Sequence, residues 1–174
     1  LVRSRGLGDV YKRQPPTTGK LLGNLAAAGF KPEDINNVVL SHFHGDHING
    51  LRFKNGNLVY PNARVHVPAP EHAFWTDEAR IAAAPAQMQG AFGAVKRALT
   101  GLTSDQLVKF EPGSTLAPGV QSVAAFGHTP GHTLFTARSE GQSFAYVADI
   151  TNVPSLFARN PDWACRLYTS DAAD

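Results

Sequence analysis

A dense group of metal-ligand side chains lies at residues 42–47, which read HFHGDH. Imidazole and carboxylate groups both bind zinc and the neighbouring first-row divalent metals. In a loop, His42 and His44 can converge on one ion, while Asp46 and His47 turn towards a second. The spacing therefore predicts a metal site, in preference to a set of solvated loop histidines.

Two further signals lie downstream. Residues 127–132 read GHTPGH and offer His128 or His132, separated by a rigid Thr-Pro-Gly turn. Asp149 follows the apolar run 144–148. A lone aspartate at a strand end more often forms a turn than binds metal, so the weight given to Asp149 comes from the other two motifs. All three signals follow predicted strands, and we expect them to meet in one cleft at a sheet edge.

The elements that must position these residues form a mixed pattern of strands and helices. Thr17 and Thr18 can cap a helix over 20–28 that ends at Gly29. The β-branched run 37–41 predicts a buried strand leading into the metal loop. Further strands are predicted over 64–67, 107–110, 120–126, 133–137 and 144–148, and helical structure over 70–100 with a break at Pro85. This pattern favours one layered α/β or α+β domain.

Composition excludes several other classes. The 174 residues include one cysteine, Cys165, which rules out a disulfide framework and a cysteine-based zinc ribbon. No apolar run is long enough for a transmembrane helix, and no signal peptide is visible. We expect a soluble protein with no membrane partner, whose cellular compartment and oligomeric state the sequence does not indicate.

Both ends resemble translations of the transposon adapter used in shotgun DNA libraries, at SRGLGDVYKRQ (4–14) and LYTSDAAD (167–174). A natural basic tail and a natural acidic tail are the alternative. We expect adapter-derived scars at 1–14 and 165–174, flanking a partial domain at 15–164. That domain carries 11 basic and 11 acidic residues. Its neutrality argues against a nucleic-acid partner.

The three motifs together resemble the metallo-β-lactamase superfamily, whose H-x-H-x-D-H signature is matched by HFHGDH. GHTPGH resembles the second motif of that family, and Asp149 its bridging aspartate. Within the superfamily, the stretches 18–51, 60–75 and 127–163 are similar to the methyl parathion hydrolase-like branch. The resemblance implies an α/β fold, the αββα sandwich of this family, here truncated at both termini.

The same resemblance implies two divalent metal ions, expected to be zinc. The implied ligands are His42, His44 and His128 for the first ion, Asp46 and His47 for the second, and Asp149 bridging both. His132 would orient a ligand rather than bind metal itself. The family also has a later histidine ligand, for which the chain offers no candidate after Asp149.

The implied function is a dinuclear hydrolase in which a metal-bridging hydroxide attacks a small phosphotriester, lactone or aryl ester. Asp46 and Asp149 could accept protons as well as bind metal. Trp75 and Phe92 match positions that line an aromatic leaving-group pocket in the branch, with core packing as the alternative. His66 and His72 are expected to be structural or surface residues.

Other functions stay open at this point. A β-lactam substrate fits the same chemistry, and the superfamily also includes nucleases, which the neutral domain disfavours. A third alternative is a non-catalytic, truncated metal-binding fragment. Because a family ligand is missing, we expect the parent protein to be an enzyme and the 174 residues themselves to be inactive.

Overall fold

The computed structural model describes residues 19–151 and a short helix at 154–159. The helices are α1 (Leu21–Ala27), α2 (Gly45–Ile48), α3 (Ala69–Thr76), α4 (Glu78–Ala83), α5 (Ala86–Leu99) and α6 (Pro154–Arg159). The strands are β1 (Asn37–Val39), β2 (Arg64–Pro68), β3 (Leu107–Phe110), β4 (Thr115–Ala117), β5 (Val120–Ala124), β6 (Thr133–Ser139) and β7 (Gln142–Tyr146). The predicted segments 1–14 and 165–174, and the predicted caps Thr17 and Thr18, lie outside these residues.

The first sheet is parallel, with strand order β1-β2-β3. Val38 pairs with Val65 in β2, and His66 pairs with Val108 in β3. Parallel neighbours need a long crossover connection, and helices α3, α4 and α5 supply it between β2 and β3. Helix α3 packs on β2 and β3, and α5 packs on α2 and α3.

The second sheet is antiparallel, with order β4-β5-β6-β7. Phe135 of β6 pairs with Ser122 on one side and with Tyr146 on the other. The turn between β6 and β7 contains Glu140 and Gly141, which have φ values of 50° and 76°. Two successive left-handed residues match the twist of a hairpin.

The hydrophobic core lies between the parallel sheet and helices α2, α3 and α5. Its buried members are Leu40, Phe43, Ile48, Leu51, Val65, Val67, Trp75, Phe92, Ala94, Val95 and Ala98. Phe43 and Ile48 are each 1% exposed. Phe43 belongs to the HFHGDH segment, and Ile48 directly follows it. The metal loop is therefore anchored in the core by its apolar side chains.

The two sheets meet beside this loop. The Thr133 N–H donates to the Ser41 carbonyl at 3.0 Å, and the rings of Phe110 and Phe135 lie 6.2 Å apart between their centroids. Ser41 directly precedes the first motif, and Thr133 directly follows the second. One backbone hydrogen bond thus brings together two motifs that are far apart in the sequence.

The predicted mixed α/β architecture is confirmed, and so are two helix ends. Gly29 and Gly101 follow α1 and α5 with φ values of 86° and 76°, the left-handed conformation that glycine adopts most easily. Pro85 immediately precedes α5, as the predicted break requires. No helix in the described part of the chain is long and apolar enough to cross a membrane.

One prediction needs correction, because the run 37–41 is not a wholly buried strand. Strand β1 ends at Val39, and both Asn37 and Val39 are exposed. Among the described residues, β1 is an edge strand of the parallel sheet. Asn37 and Val39 lie on the same face of this strand, and both side chains are exposed there. Burial begins only at Leu40 and Ser41.

We expect Phe43→Ala to lower the free energy of unfolding by about 3–5 kcal/mol, the range for truncating a buried phenylalanine. Phe53→Ala is the matched control, because Phe53 is 44% exposed and its loss should change stability by less than about 0.5 kcal/mol. Urea unfolding of both variants measures the difference. Equal effects would contradict the anchoring of the loop by Phe43.

Candidate metal centre

Three imidazole nitrogens form a close triangle where the two motifs meet. His42 Nε2 lies 3.2 Å from His44 Nδ1 and 3.2 Å from His128 Nε2. The third side, from His44 Nδ1 to His128 Nε2, measures 2.9 Å. Two residues of the first motif therefore converge with one residue of the second.

The environment of this triangle keeps two of its imidazoles neutral. Burial, together with the neighbouring His128, lowers the pKa of His44 to about 4. Burial also holds the pKa of the fully buried His42 far below its usual range, with His47 and the other histidines adding to the effect. A neutral imidazole offers one lone pair, the form that binds metals.

The spacing of the three nitrogens fits a metal ion better than mutual hydrogen bonds. Linear N–H···N bonds cannot join all three sides of a triangle, whereas a cation can accept all three lone pairs. Nitrogens bound tetrahedrally to zinc at about 2.0–2.1 Å lie roughly 3.3 Å from one another. The observed separations of 2.9–3.2 Å are close to that value.

A second group of ligand atoms shares one residue, His42, with the first. Asp149 Oδ2 lies 3.3 Å from His47 Nε2, 3.5 Å from His128 Nε2 and 4.0 Å from His42 Nε2. Hydrogen bonds from His128 and His47 hold the pKa of Asp149 well below its usual range. Asp149 is therefore an ionised carboxylate lying between the two groups. His42, His47 and Asp149 have the mutual spacing of a further metal-binding set.

Asp46 lies at the margin of this second group, with Oδ2 3.7 Å from His47 Nε2. It occupies the first turn of α2, which begins at Gly45 immediately after His44. The helix spans four residues, Gly45–Ile48. Asp46 and His47 thereby lie beside the histidine triangle instead of continuing away from it.

His132 lies behind Asp149 and does not belong to the triangle. It is fully buried. Its Nδ1–H donates to the Ala125 carbonyl at 2.9 Å, and its Nε2 accepts from the Asp149 N–H at 3.2 Å. Both ring nitrogens are thus engaged by the backbone. Asp149 itself follows Ala148, which has a φ of 46°, a conformation unusual for a residue other than glycine.

Comparison with known families agrees with this geometry. The family model of the metallo-beta-lactamase superfamily matches residues 6–174.

The chain belongs to the metallo-beta-lactamase superfamily.

Several solved structures are similar to it. AbOPH, a hydrolase in the beta lactamase superfamily, is 28% identical with a TM-score of 0.74, covering 88% of this chain and 54% of its own. AidC, a dizinc quorum-quenching lactonase, is 32% identical with a TM-score of 0.72, covering 90% and 55%. A probable metal-dependent hydrolase from Staphylococcus aureus is 25% identical with a TM-score of 0.65, covering 86% and 52%.

The chain therefore spans about half the length of these three solved structures. A comparison with curated proteins gives no match.

Trp75 and Phe92 lie in the hydrophobic core of this superfamily domain, each 4% exposed. Their ring centroids are 4.9 Å apart, and the Trp75 ring lies 6.3 Å from that of His44. This placement agrees with the core-packing alternative, and a role in substrate binding stays a prediction. A cleft of about 300 Å³ lies beside the histidine cluster, and neither Trp75 nor Phe92 lines it. The lining residues are Val39, Leu40, Ser41, His47, Phe135 and Tyr146.

Sequence reasoning missed one buried acidic residue beneath the cluster, Glu71. It lies in the first turn of α3 and is fully buried, with its carboxylate bonded to Phe43, Trp75 and Gly131. Acidic residues are almost never fully buried without partners. The available signal was a glutamate four residues before a tryptophan in an otherwise apolar segment.

We expect His132→Phe to lower the free energy of unfolding by about 1–3 kcal/mol, because it leaves the Asp149 N–H and the Ala125 carbonyl without their partner. His72→Phe is the control, since His72 is only partly buried and contacts Thr76 within its own helix. Chemical denaturation of both variants gives the values. A neutral His132→Phe would show that the two hydrogen bonds are dispensable.

Proposed function

We propose that this chain is the metal-binding part of a dinuclear metallohydrolase that acts on small ester substrates. The observation that carries the proposal is the pair of adjoining ligand groups, His42 with His44 and His128, and His47 with Asp149. Histidines in a solvated loop would not be expected to place their ligand atoms within 4.8 Å of one another, as they lie in each of these groups.

The first ion would be held by His42, His44 and His128. Their nitrogens come from two loops, and the pKa values of His42 and His44 are lowered mainly by burial. Three imidazoles that converge on one point are a ligand set typical of zinc. Zinc is accordingly the metal that we propose, in agreement with the dizinc description of AidC.

The second ion would be held by Asp46 and His47, with Asp149 bridging the two. Asp149 supports the bridging role because a single oxygen, Oδ2, lies within 4.0 Å of imidazoles from both groups. We propose that His132 keeps that oxygen in place through its hydrogen bond from the Asp149 backbone. A group that orients a ligand in this way commonly affects metal affinity.

The chemistry follows from these ligands. When bound, two divalent ions supply Lewis acidity and lower the pKa of water to near neutrality. Asp46 and Asp149 are the carboxylates closest to the cluster, and we propose that they accept protons as well as bind metal. Ser41 Oγ lies 3.0 Å from His42 Nδ1, and this contact fixes the orientation of the His42 ring.

The substrate class is a small ester: a phosphotriester, a lactone or an aryl ester. Similarity to the lactonase AidC supports a lactone within this range, and the sequence motifs favour the methyl parathion hydrolase-like branch. We propose that Trp75 contacts an aromatic leaving group, because its ring lies 6.3 Å from that of His44 between centroids. Phe92 packs against Trp75.

A metal-binding segment without turnover of its own is the second candidate. The observation that favours it is the coverage of about half of the similar solved structures. This candidate also has a metal ion bound by His42, His44 and His128. It differs from the leading proposal because it predicts no ester hydrolysis at any zinc concentration.

We expect His44→Ala to weaken zinc affinity by at least about tenfold. Loss of a group that only orients a metal ligand already lowers metal affinity by about tenfold to a hundredfold. His66→Ala is the matched control, because His66 lies in β2 and contacts Asn37. Isothermal titration and zinc content after dialysis measure both variants. Full zinc affinity in His44→Ala would sink the proposed first site.

Hydrolysis by the zinc-loaded parent protein should separate the two candidates, because the 174 residues themselves are expected to be inactive. An aryl phosphotriester, an acyl homoserine lactone and an aryl acetate serve as substrates. The leading proposal expects turnover of at least one, abolished by a chelator and restored by zinc. Zinc binding without turnover of any of the three would support the non-catalytic candidate instead.

A further inference from the structure

We propose that Glu71 is a positioning residue that holds the two ligand-bearing loops at the distance the metal centre requires. The inference rests on the proposed function, since it assigns a purpose to a residue that neither binds metal nor touches substrate. It concerns a carboxylate that none of the motifs contains.

The contacts of Glu71 reach both loops at once. Its Oε1 accepts from the Phe43 N–H at 2.9 Å, and its Oε2 accepts from the Gly131 N–H at 2.7 Å. Phe43 lies between His42 and His44, and Gly131 directly precedes His132 in the loop that begins with His128. One fully buried carboxylate is therefore bonded to the backbone of both motifs.

The position of Glu71 is itself fixed from its own helix. The Trp75 Nε1–H donates to Oε1 at 2.8 Å from one turn further along α3. This contact fixes the rotamer of the carboxylate, so that its two oxygens face opposite loops. Helix α3 packs on β2 and β3, and the bridge thus rests on the parallel sheet.

Gly131 gives a second, independent observation of the same junction. A Cβ at this position would lie 2.2 Å from the Glu71 backbone nitrogen and 2.5 Å from the Glu71 Cβ. The second loop therefore lies directly on the first turn of α3, closer than any residue with a side chain allows. This close approach explains why the motif GHTPGH contains a glycine at that position.

The chemistry of the junction requires a carboxylate. All three partners of Glu71 are N–H donors, and an ionised carboxylate accepts at both oxygens. Glutamine has the same size but only one accepting oxygen, and its NH₂ group would face an N–H donor on one side. Glu71→Gln should therefore release one loop while leaving the volume of the site unchanged.

The test compares Glu71→Gln with Glu78→Gln in the full chain. Glu78 is an exposed residue in the first turn of the next helix, so its substitution removes the same charge without touching a loop. We expect Glu71→Gln to weaken zinc affinity by at least about tenfold and to change the visible spectrum of the cobalt-substituted protein. Glu78→Gln should leave both unchanged.

A readout in the metal-free protein accompanies these measurements. Hydrogen exchange of the Phe43 and Gly131 amides should be slow in the wild type. In Glu71→Gln it should become at least about tenfold faster at one of the two. A residue that only stabilises the fold would lower the unfolding midpoint without altering the cobalt spectrum or selectively exposing these two amides.

A folded Glu71→Gln variant with wild-type zinc affinity and an unchanged cobalt spectrum overturns the proposal. If that variant does not fold, Trp75→Phe removes the donor that orients the Glu71 carboxylate, and wild-type zinc affinity together with unchanged exchange of the two amides in that variant overturns the proposal equally. If the wild type binds neither zinc nor cobalt, the proposed function fails. In that case the hydrogen exchange of the Phe43 and Gly131 amides alone tests the bridge, and equal exchange in the wild type and in Glu71→Gln overturns it.

Discussion

The mutual approach of His42, His44 and His128 is the contact around which the rest of the structure is organised. Nitrogens from residues 86 positions apart lie 3.2 Å from one another, and the burial that keeps His42 neutral also removes the water that could separate them. Such an arrangement is unfavourable for free imidazoles, because buried polar groups without partners destabilise a fold. It becomes favourable when a cation accepts the lone pairs.

The scaffold holds these groups together from several directions. Below the first loop, the buried side chains of Phe43 and Ile48 fix its path. The hydrogen bond from Thr133 to Ser41 joins the two sheets at the point where both motifs begin or end. Glu71 adds a contact to each loop from α3. These interactions are local and short-ranged, and together they determine where the ligand atoms lie.

Much of this site could be predicted from the sequence, because its chemistry depends on residue type and spacing. The pattern of HFHGDH indicated ligands, and the strand preceding GHTPGH indicated where His128 would lie. The edge position of β1 could not be predicted, since a short β-branched run reads the same in a central and in an edge strand. Glu71 was missed for a related reason: an isolated glutamate in a helix is usually solvated, and only the tertiary contacts show that it is buried.

Anomalous X-ray scattering at the zinc absorption edge, from crystals of the zinc-loaded chain, would locate the bound ions. We expect one anomalous peak among the side chains of His42, His44 and His128, and a second beside His47 and Asp149. A single peak at the histidine triangle would retain the metal centre but limit it to one ion. The absence of any peak at the triangle would contradict the account.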